Sequence, residues 1–570
     1  MPSPQPPADA AGGADTAGGA ATTDAAEPVV TVARWMGPSE RPLLSWVTTP
    51  TSGTGSVGVV VVPPIGYELW SSHRTLRTLA EQLAAQGCTV LRFDYDATGD
   101  SAGDQWDPAR LATWRRDLGT AAAALRQLGV SSLVLVGLRL GATLALTEGP
   151  ALGADAVVAW APVVRGRRYV RELQLLGVPV PEDPDRPERA DAMVQAGSVF
   201  SGETLRDLGA IDLTALPAPP APRTLVVDRD DTPPSTPLLD RLAELGAHTD
   251  HDVVGGTEGF LDRPTEYAEV AGAVVGRICA WVGPGTTAGP VPGARPTATF
   301  AWAGSELEEE VVRVGDGALV GVATRPPGPA RATVVWLNSG SEHHVGPGRA
   351  WVEYARDLAA SDYGSLRVDF SGWGESPDRG HAPGRPYDAH ALEEVHQIVD
   401  ELHRSARTPV VAAGLCAGAW LALRAAVSSG PDGVIAINPQ LYWQPGDPVE
   451  ADIASETRAR RRPEIRRIKR LRRTGLWWGL DVVGRRHPAS SWLAALARSG
   501  HPVLALFAEG DDGLEFLEDR TARAWSRARR RGAVDLVVIE DIDHPMHRHW
   551  RRPEVEAAIV AWLGRRIDGS

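Results

Sequence analysis

The sequence contains one short pattern twice: an apolar run, then Gly-x-x-x-Gly, then an Ala/Leu-rich segment. Residues 410–419 read Val-Val-Ala-Ala-Gly-Leu-Cys-Ala-Gly-Ala, and residues 133–141 read Leu-Val-Leu-Val-Gly-Leu-Arg-Leu-Gly. A strand that turns sharply into a helix holds its turn residue in a strained conformation, and flanking glycines let the two backbones pass closely. Each pattern therefore predicts a strand–turn–helix unit. Its central residue, Cys416 or Arg139, lies at a helix N-terminus, where unpaired N–H groups favour negative charge.

The surrounding sequence indicates a duplicated α/β fold. The almost continuous β-branched run at 57–62 is typical of a strand buried on both faces of a parallel sheet, and helical patterns alternate with such runs. Leu-Arg-Phe-Asp at 91–94 recurs as Leu-Arg-Val-Asp at 366–369, at nearly the same offset as the two Gly-x-x-x-Gly patterns. We expect two tandem domains, each a mostly parallel, doubly wound sheet with a helical cap insertion.

Composition sets the expected boundaries. A chain of 570 residues is long for one core. Residues 1–28 are rich in Ala, Gly, Pro and Thr and are predicted to be a disordered tail. The first domain is expected at 29–283, a Gly/Pro/Thr-rich linker at 284–299, and the second domain at 300–570, with its cap at about 444–499.

Charge and cysteine content exclude several classes of protein. The net charge of -14 argues against nucleic acid as a partner. Three cysteines without a C-x-x-C pair indicate neither a disulfide framework nor a zinc site, and no cofactor is expected. With no apolar run of membrane-spanning length and no secretory signal, the expected location is cytoplasmic.

Further stretches carry a resemblance to a known family. They are Pro-Pro-Ile-Gly-Tyr-Glu at 63–68, Ser-His-Arg at 72–74, Leu-Asn-Ser-Gly at 337–340 and Ile-Asn-Pro-Gln-Leu-Tyr-Trp at 437–443. With these, both halves resemble the α/β-hydrolase superfamily, in the branch similar to serine aminopeptidase-like hydrolases. The resemblance implies that Cys416 occupies the nucleophile elbow, where Ser is more usual. It is specific for the fold and weak for the substrate.

The family's chain order of nucleophile, acid and base assigns the remaining catalytic positions. The acid falls on Asp511, with Asp512 as the alternative, and the base falls on His544. The oxyanion donors would be the backbone N–H of Ala417 and that of Gly340 or Ser341.

Other interpretations of these residues stay open. Cys416 in such a turn can be a buried thiol, and His544, His547 and His549 are spaced so that they can form a metal cluster. His343 and His344 are read as pocket or loop residues. The remaining cysteines, Cys88 and Cys279, are read as inert packing.

The first domain lacks the groups for this chemistry. A guanidinium at Arg139 cannot attack a carbonyl, and no His stands at the base position near Gly259. Only the acid region survives, at Asp230 and Asp231. The domain is therefore predicted to be catalytically degenerate. Arg139 either pairs with one of those two carboxylates or binds an anionic ligand.

The predicted cap contains a basic run at 458–473 with a single acidic residue. It is read as a solvated helix or as a docking site for an acyl carrier protein or the phosphates of coenzyme A. The leading prediction is a cysteine-dependent acyl hydrolase or acyltransferase in a biosynthetic pathway, which acts on a small-molecule ester or thioester through an acyl-Cys intermediate. The alternatives are a non-catalytic tandem scaffold or ligand-binding protein and, less favoured, a peptidase.

Overall fold

The computed structural model describes residues 27–340, 342–379, 387, 389–405, 408–428, 430–442 and 488–568. Residues 1–26 of the predicted tail and 444–487 of the predicted cap lie outside the described residues. No helix in the described ranges is both long enough and apolar enough to cross a membrane.

The N-terminal half alternates strands and helices. Its strands are β1 (Val29–Met36), β2 (Leu43–Pro50), β3 (Thr54–Gly55), β4 (Val57–Val62), β5 (Thr89–Phe93), β6 (Ser132–Leu138), β7 (Ala156–Trp160), β8 (Val178–Pro179), β9 (Met193–Gln195), β10 (Ser198–Phe200), β11 (Arg223–Asp228), β12 (Thr249–Val253) and β13 (Thr287–Gly289). Its helices are α1 (Tyr67–Ala85), α2 (Arg110–Arg126), α3 (Leu140–Leu152), α4 (Gly166–Leu176), α5 (Gly202–Gly209), α6 (Thr236–Glu244), α7 (Glu258–Leu261) and α8 (Gly272–Val282).

The main sheet of this half has the order β1-β2-β5-β4-β6-β7-β11-β12 in the described residues. It is parallel from β5 to β12 and antiparallel at β1 and β2. Helices α1 and α8 cover one face, and α2, α3 and α6 cover the other. Because both faces are covered, the central strand β4 is buried along almost its whole length, as its β-branched composition predicts.

The C-terminal half repeats the arrangement. Its strands are β14 (Thr297–Trp302), β15 (Ser305–Val314), β16 (Leu319–Arg325), β17 (Thr333–Trp336), β18 (Gly364–Asp369), β19 (Val410–Leu415), β20 (Gly433–Ile437), β21 (Val503–Ala508) and β22 (Val534–Ile539). Its described helices are α9 (Ala350–Ala359), α10 (Ala389–Ser405), α11 (Ala417–Ser428), α12 (Pro488–Ser499), α13 (Asp512–Arg520), α14 (Ala522–Arg530) and α15 (Arg552–Arg566).

The order of the second sheet is β14-β15-β16-β18-β17-β19-β20-β21-β22. After the additional edge strand β14, it matches the first sheet strand for strand. The two doubly wound domains expected from the sequence are therefore present. Within the segment predicted as a linker, β13 pairs with β3 of the first domain, and the last three residues already belong to β14.

The two domains meet through buried ion pairs that repeat across the interface. Arg92, at the end of β5, donates two 2.8 Å hydrogen bonds to the carboxylate of Glu375 in the second domain. Arg367, in the matching position on β18, pairs with Asp100 in the first domain. The duplicated Leu-Arg-x-Asp pattern thus places an arginine of each domain on a carboxylate of the other, so the interface has approximate two-fold symmetry.

Candidate active site

Cys416 occupies a strained turn between β19 and α11. Its φ is +54°, a left-handed value that residues with a side chain rarely adopt, and its N–H donates to the carbonyl of Ile437 at 3.0 Å. A Cβ on Gly414 would lie 2.4 Å from the carbonyl carbon of Gly418, and one on Gly418 would lie 2.7 Å from the Asn338 oxygen. Only glycine fits at both flanking positions. The turn therefore presents a partly exposed thiol at the first turn of a helix.

His544 and Asp511 lie together at the ends of two neighbouring strands. Nδ1 of His544 is 2.6 Å from Oδ2 of Asp511. The other oxygen of Asp511 accepts a 2.8 Å hydrogen bond from the N–H of Gly513 and thereby caps α13. Both oxygens of Asp511 are thus engaged and its side chain is buried, whereas the neighbouring Asp512 is exposed. Of the two carboxylates left open by the sequence, Asp511 is the one that holds the imidazole.

Asn438 ties the histidine loop to the sheet. Its amide donates to the carbonyl of His544 at 2.7 Å, and its Oδ1 accepts from the N–H of Ala508 at 2.8 Å. The residue is fully buried, so these bonds form away from water. They fix the backbone of His544 relative to the end of β21, from which Asp511 follows.

The surroundings of His544 favour its protonated state. Burial alone would lower the pKa of His544, but the hydrogen bond to Asp511 and the nearby sulfur of Cys416 raise it to about 10. Nε2 is buried and makes no hydrogen bond of good geometry within the described residues, although the Cys416 side chain is near enough to contribute to this pKa shift. The ring therefore directs Nε2 toward the thiol, and its raised pKa favours the protonated imidazole.

The predicted oxyanion donors lie next to this pair. Ala417 is the first residue of α11, where the N–H groups of a helix are unpaired. Gly340 has a φ of +55° and belongs to the segment 338–344 that follows β17, which we call the oxyanion loop. Ser341 lies outside the described residues. The donor roles of these three residues stay a prediction.

Sequence reasoning missed Tyr387. Its hydroxyl is 3.5 Å from Sγ of Cys416 and 3.3 Å from Oε1 of Gln440, and its ring packs edge-on against Trp420. Tyr387 comes 29 residues before the elbow, in a stretch with no regular pattern, so no local signal pointed to it.

The three histidines near the end of β22 do not form a metal cluster. His544, His547 and His549 do not converge: His547 lies 3.4 Å from Asp543, and His549 accepts from the side chains of two other residues, Gln105 and Arg552. Burial also lowers the pKa of His549 to about 3. The metal-cluster reading of these histidines is therefore not supported.

The two remaining cysteines lie in the core of the first domain. Cys88 and Cys279 are almost fully buried, and burial raises the pKa of each thiol to about 11. Thiols of this kind react slowly at neutral pH. This environment agrees with the reading that both are inert packing.

The elbow of the first domain has the same backbone but different chemistry. Arg139 has a φ of +53°, and its N–H donates to the carbonyl of Trp160 at 3.0 Å. The expected pairing with Asp230 or Asp231 is wrong. Arg139 instead binds Glu68 at 2.7 Å and Glu172 at 2.9 Å. These acids come from α1 and α4, which the fold brings over the elbow.

The other positions of this first site have their own partners. Asp231 pairs with Arg229, while Asp230 is exposed. Gly259 is buried in the short helix α7, at the position where a base would stand. A cavity of about 570 Å³ remains over this site and is lined in part by Arg139 and Tyr169. Because two carboxylates already neutralise the guanidinium, the anionic-ligand reading of Arg139 loses support.

Comparison with known protein families gives a match in the second domain. Residues 334–562 match the alpha/beta hydrolase family. The match runs from β17 into α15 of the second domain and covers less than half of the chain. No curated protein matches the sequence.

Solved structures with a similar fold include Est1E from Butyrivibrio proteoclasticus, at 14% identity over 44% of this chain and 97% of that one, with a TM-score of 0.34. Another is dienelactone hydrolase from Anabaena variabilis ATCC 29413, at 14% identity over 45% and 98% of the two chains, with a TM-score of 0.31. At these identities the similarity concerns the fold alone.

Proposed function

We propose that this chain is a cysteine-dependent acyl hydrolase or acyltransferase of the α/β-hydrolase superfamily that acts on an ester or thioester. The observation that carries the proposal is the arrangement of Cys416, His544 and Asp511. A thiol in a strained turn at a helix N-terminus faces an imidazole whose other nitrogen is held by a buried carboxylate. Nucleophile, base and orienting acid are the groups that acyl transfer requires.

The reaction follows from these positions. The Cys416 thiolate attacks the acyl carbon, and the carbonyl oxygen becomes an oxyanion beside the N–H groups of Ala417 and Gly340. The bond to the leaving group breaks as Nε2 of His544 gives its proton to the departing oxygen or sulfur. An acyl-Cys results. Water or an acceptor hydroxyl or amine then attacks the same carbon and gives its proton back to Nε2, and the sulfur leaves.

The first domain is proposed to be non-catalytic, because its elbow holds a neutralised guanidinium. The basic run at 458–473 lies outside the described residues, so docking of an acyl carrier protein or coenzyme A there stays a prediction. The acyl substrate, the biosynthetic setting and the cytoplasmic location are also proposals.

A panel of acyl thioesters and aryl esters tests the proposal. The wild type should turn over at least one member, and Cys416→Ala should lose about a thousandfold or more, on the scale seen when a hydrolase loses its nucleophile. Intact mass after a brief reaction with a slow substrate should show one acyl adduct, absent from the variant. Turnover that survives in Cys416→Ala would refute the mechanism. No turnover and no adduct on the wild type would favour the scaffold alternative.

A further inference from the structure

The oxyanion loop closes on one carboxylate of its own domain. The Asn338 amide donates to the carbonyl of Glu342 at 3.0 Å and to Oδ1 of Asp369 at 3.2 Å. The backbone N–H of His344 donates to the same oxygen at 2.6 Å. Asp369 therefore holds both ends of the segment that contains Gly340.

The ring of His344 connects this loop to the other domain. Nδ1 lies 2.6 Å from Oδ2 of Asp369, and Nε2 lies 2.7 Å from Oδ2 of Asp100, which belongs to the first domain. The ring is only 2% exposed. Burial would favour the neutral ring, but the two carboxylates outweigh it and raise the pKa of His344 well above its ordinary value. The ring is thus a charged bridge between the domains.

Asp100 is itself rigidly held. Its other oxygen pairs with Arg367, whose guanidinium also binds Glu309 at 2.9 Å. The backbone carbonyl of Asp100 accepts a 2.5 Å hydrogen bond from Arg356 on α9. All four of these side chains are buried, so the position of Asp100 is defined by hydrogen bonds rather than by solvent.

We infer that Asp100 of the degenerate domain is a positioning residue for the reaction of the other domain, because it holds the oxyanion loop in place through His344. The inference rests on the proposed function. An oxyanion donor stabilises the transition state only when it lies about 2.7–3.1 Å from the developing charge, so a small shift of the loop costs rate. The first domain, which lacks its own nucleophile, would thereby complete the active site of the second.

The approximate symmetry of the interface offers a matched control. Glu375 stands where Asp100 stands in the repeat, is buried to a similar degree, and binds Arg92 and His73 of the first domain. In the described residues, no hydrogen bond of its side chain reaches the oxyanion loop. The ring of its partner His73 stacks on His343 of that loop, with ring centroids 4.5 Å apart. Asp100→Asn and Glu375→Gln thus remove equivalent charges from one interface, but only the first removes a direct hydrogen bond to that loop.

The experiment compares full-length variants with a thioester that the wild type turns over. Asp100→Asn should lower kcat about 10- to 100-fold with KM within about threefold, because one oxyanion donor is worth at most about 100- to 1000-fold. The rate at which iodoacetamide alkylates Cys416 should stay within twofold of the wild-type rate, since the substitution leaves the thiol and His544 unchanged. Glu375→Gln should keep kcat within threefold.

Two further measurements distinguish positioning from loss of structure. His344→Gln should lower kcat as much as Asp100→Asn, and the double variant should lose no more than either single variant, because both remove the same connection. The ratio of kcat/KM for an aryl ester to that for its thionoester should also be smaller in Asp100→Asn than in the wild type. The thionoester carries sulfur in place of the carbonyl oxygen, and because sulfur accepts hydrogen bonds poorly, it depends less on the oxyanion donors. If Asp100→Asn fails to fold, the inference is tested by comparing the kcat of His344→Gln with that of Glu375→Gln.

The inference is overturned if Asp100→Asn keeps kcat within threefold, if Glu375→Gln loses as much, or if the losses of the double variant multiply. Failure of the proposed function is a separate result, since it would appear as turnover that persists in Cys416→Ala.

Discussion

Replacing Asp511 with Asn tests the assignment of the catalytic acid. Asp511 accepts a 2.6 Å hydrogen bond from the Nδ1–H of His544 and caps α13 through its second oxygen. The side-chain oxygen of an Asn can still accept the hydrogen bond from Gly513 that caps α13. Its amide nitrogen, however, then faces Nδ1 and favours the ring tautomer in which Nε2 carries the proton and cannot accept one from the thiol.

The size of the effect follows from the pKa of His544. A rise from 6.5 to about 10 corresponds to about 5 kcal/mol at 1.4 kcal/mol per unit, shared between Asp511 and Cys416. The His544 side chain is 32% exposed, so solvent screens part of this interaction energy. If Asp511 supplies about half, or about 2.5 kcal/mol, the loss of this interaction should lower kcat by at most about 60-fold. The tautomer change raises the limit to about 10,000-fold.

The assay is turnover of the best ester or thioester, with thermal unfolding as a check on structure. Asp512→Asn is the control: its side chain is exposed, and it should keep kcat within twofold. The reasoning is refuted if Asp511→Asn folds normally and stays within threefold of the wild type, or if Asp512→Asn shows the larger loss.

Four other predictions concern separate features. At neutral pH, limiting iodoacetamide should add one label, on Cys416, because the two other thiols are buried; labelling spread over all three, by peptide mass, would contradict this. Because the pKa of His544 is raised, its imidazolium stabilises the fold below about pH 6.5, and this stabilisation is lost as pH rises through about 10. The melting temperature should therefore fall across that window more steeply in the wild type than in a variant without the partner carboxylate, and kcat should fall above about pH 10. Arg139→Cys, made in a chain without the second-domain thiol, should give no turnover, because no histidine is among the described residues that line the cavity over that elbow. Gly418→Ala should destabilise by about 1–3 kcal/mol in chemical denaturation, since its Cβ would meet a backbone oxygen at 2.7 Å, whereas Gly328→Ala, with open space around it, should change little.

Local sequence determined the strands, the elbows and the order of the site residues. A β-branched run such as 57–62 is typical of a strand in a sheet that helices cover on both faces. A Gly-x-Cys-x-Gly turn after such a run allows few backbone conformations. The carboxyl ends of parallel strands meet at one edge of a sheet. Residues that follow β19, β21 and β22 within about five positions are therefore expected near one another, and Cys416, Asp511 and His544 are such residues.

Only the tertiary structure decided which distant groups meet. Glu68 and Glu172 reach Arg139 from two different helices. Tyr387 contacts a thiol that lies 29 residues later in the chain, and Asp100 reaches His344 across a domain boundary. No spacing along the chain encodes these contacts, because each depends on how separately formed elements pack. The repeated Leu-Arg-x-Asp pattern indicated a duplication, but its buried arginines acquired their partners only when the two copies were placed face to face.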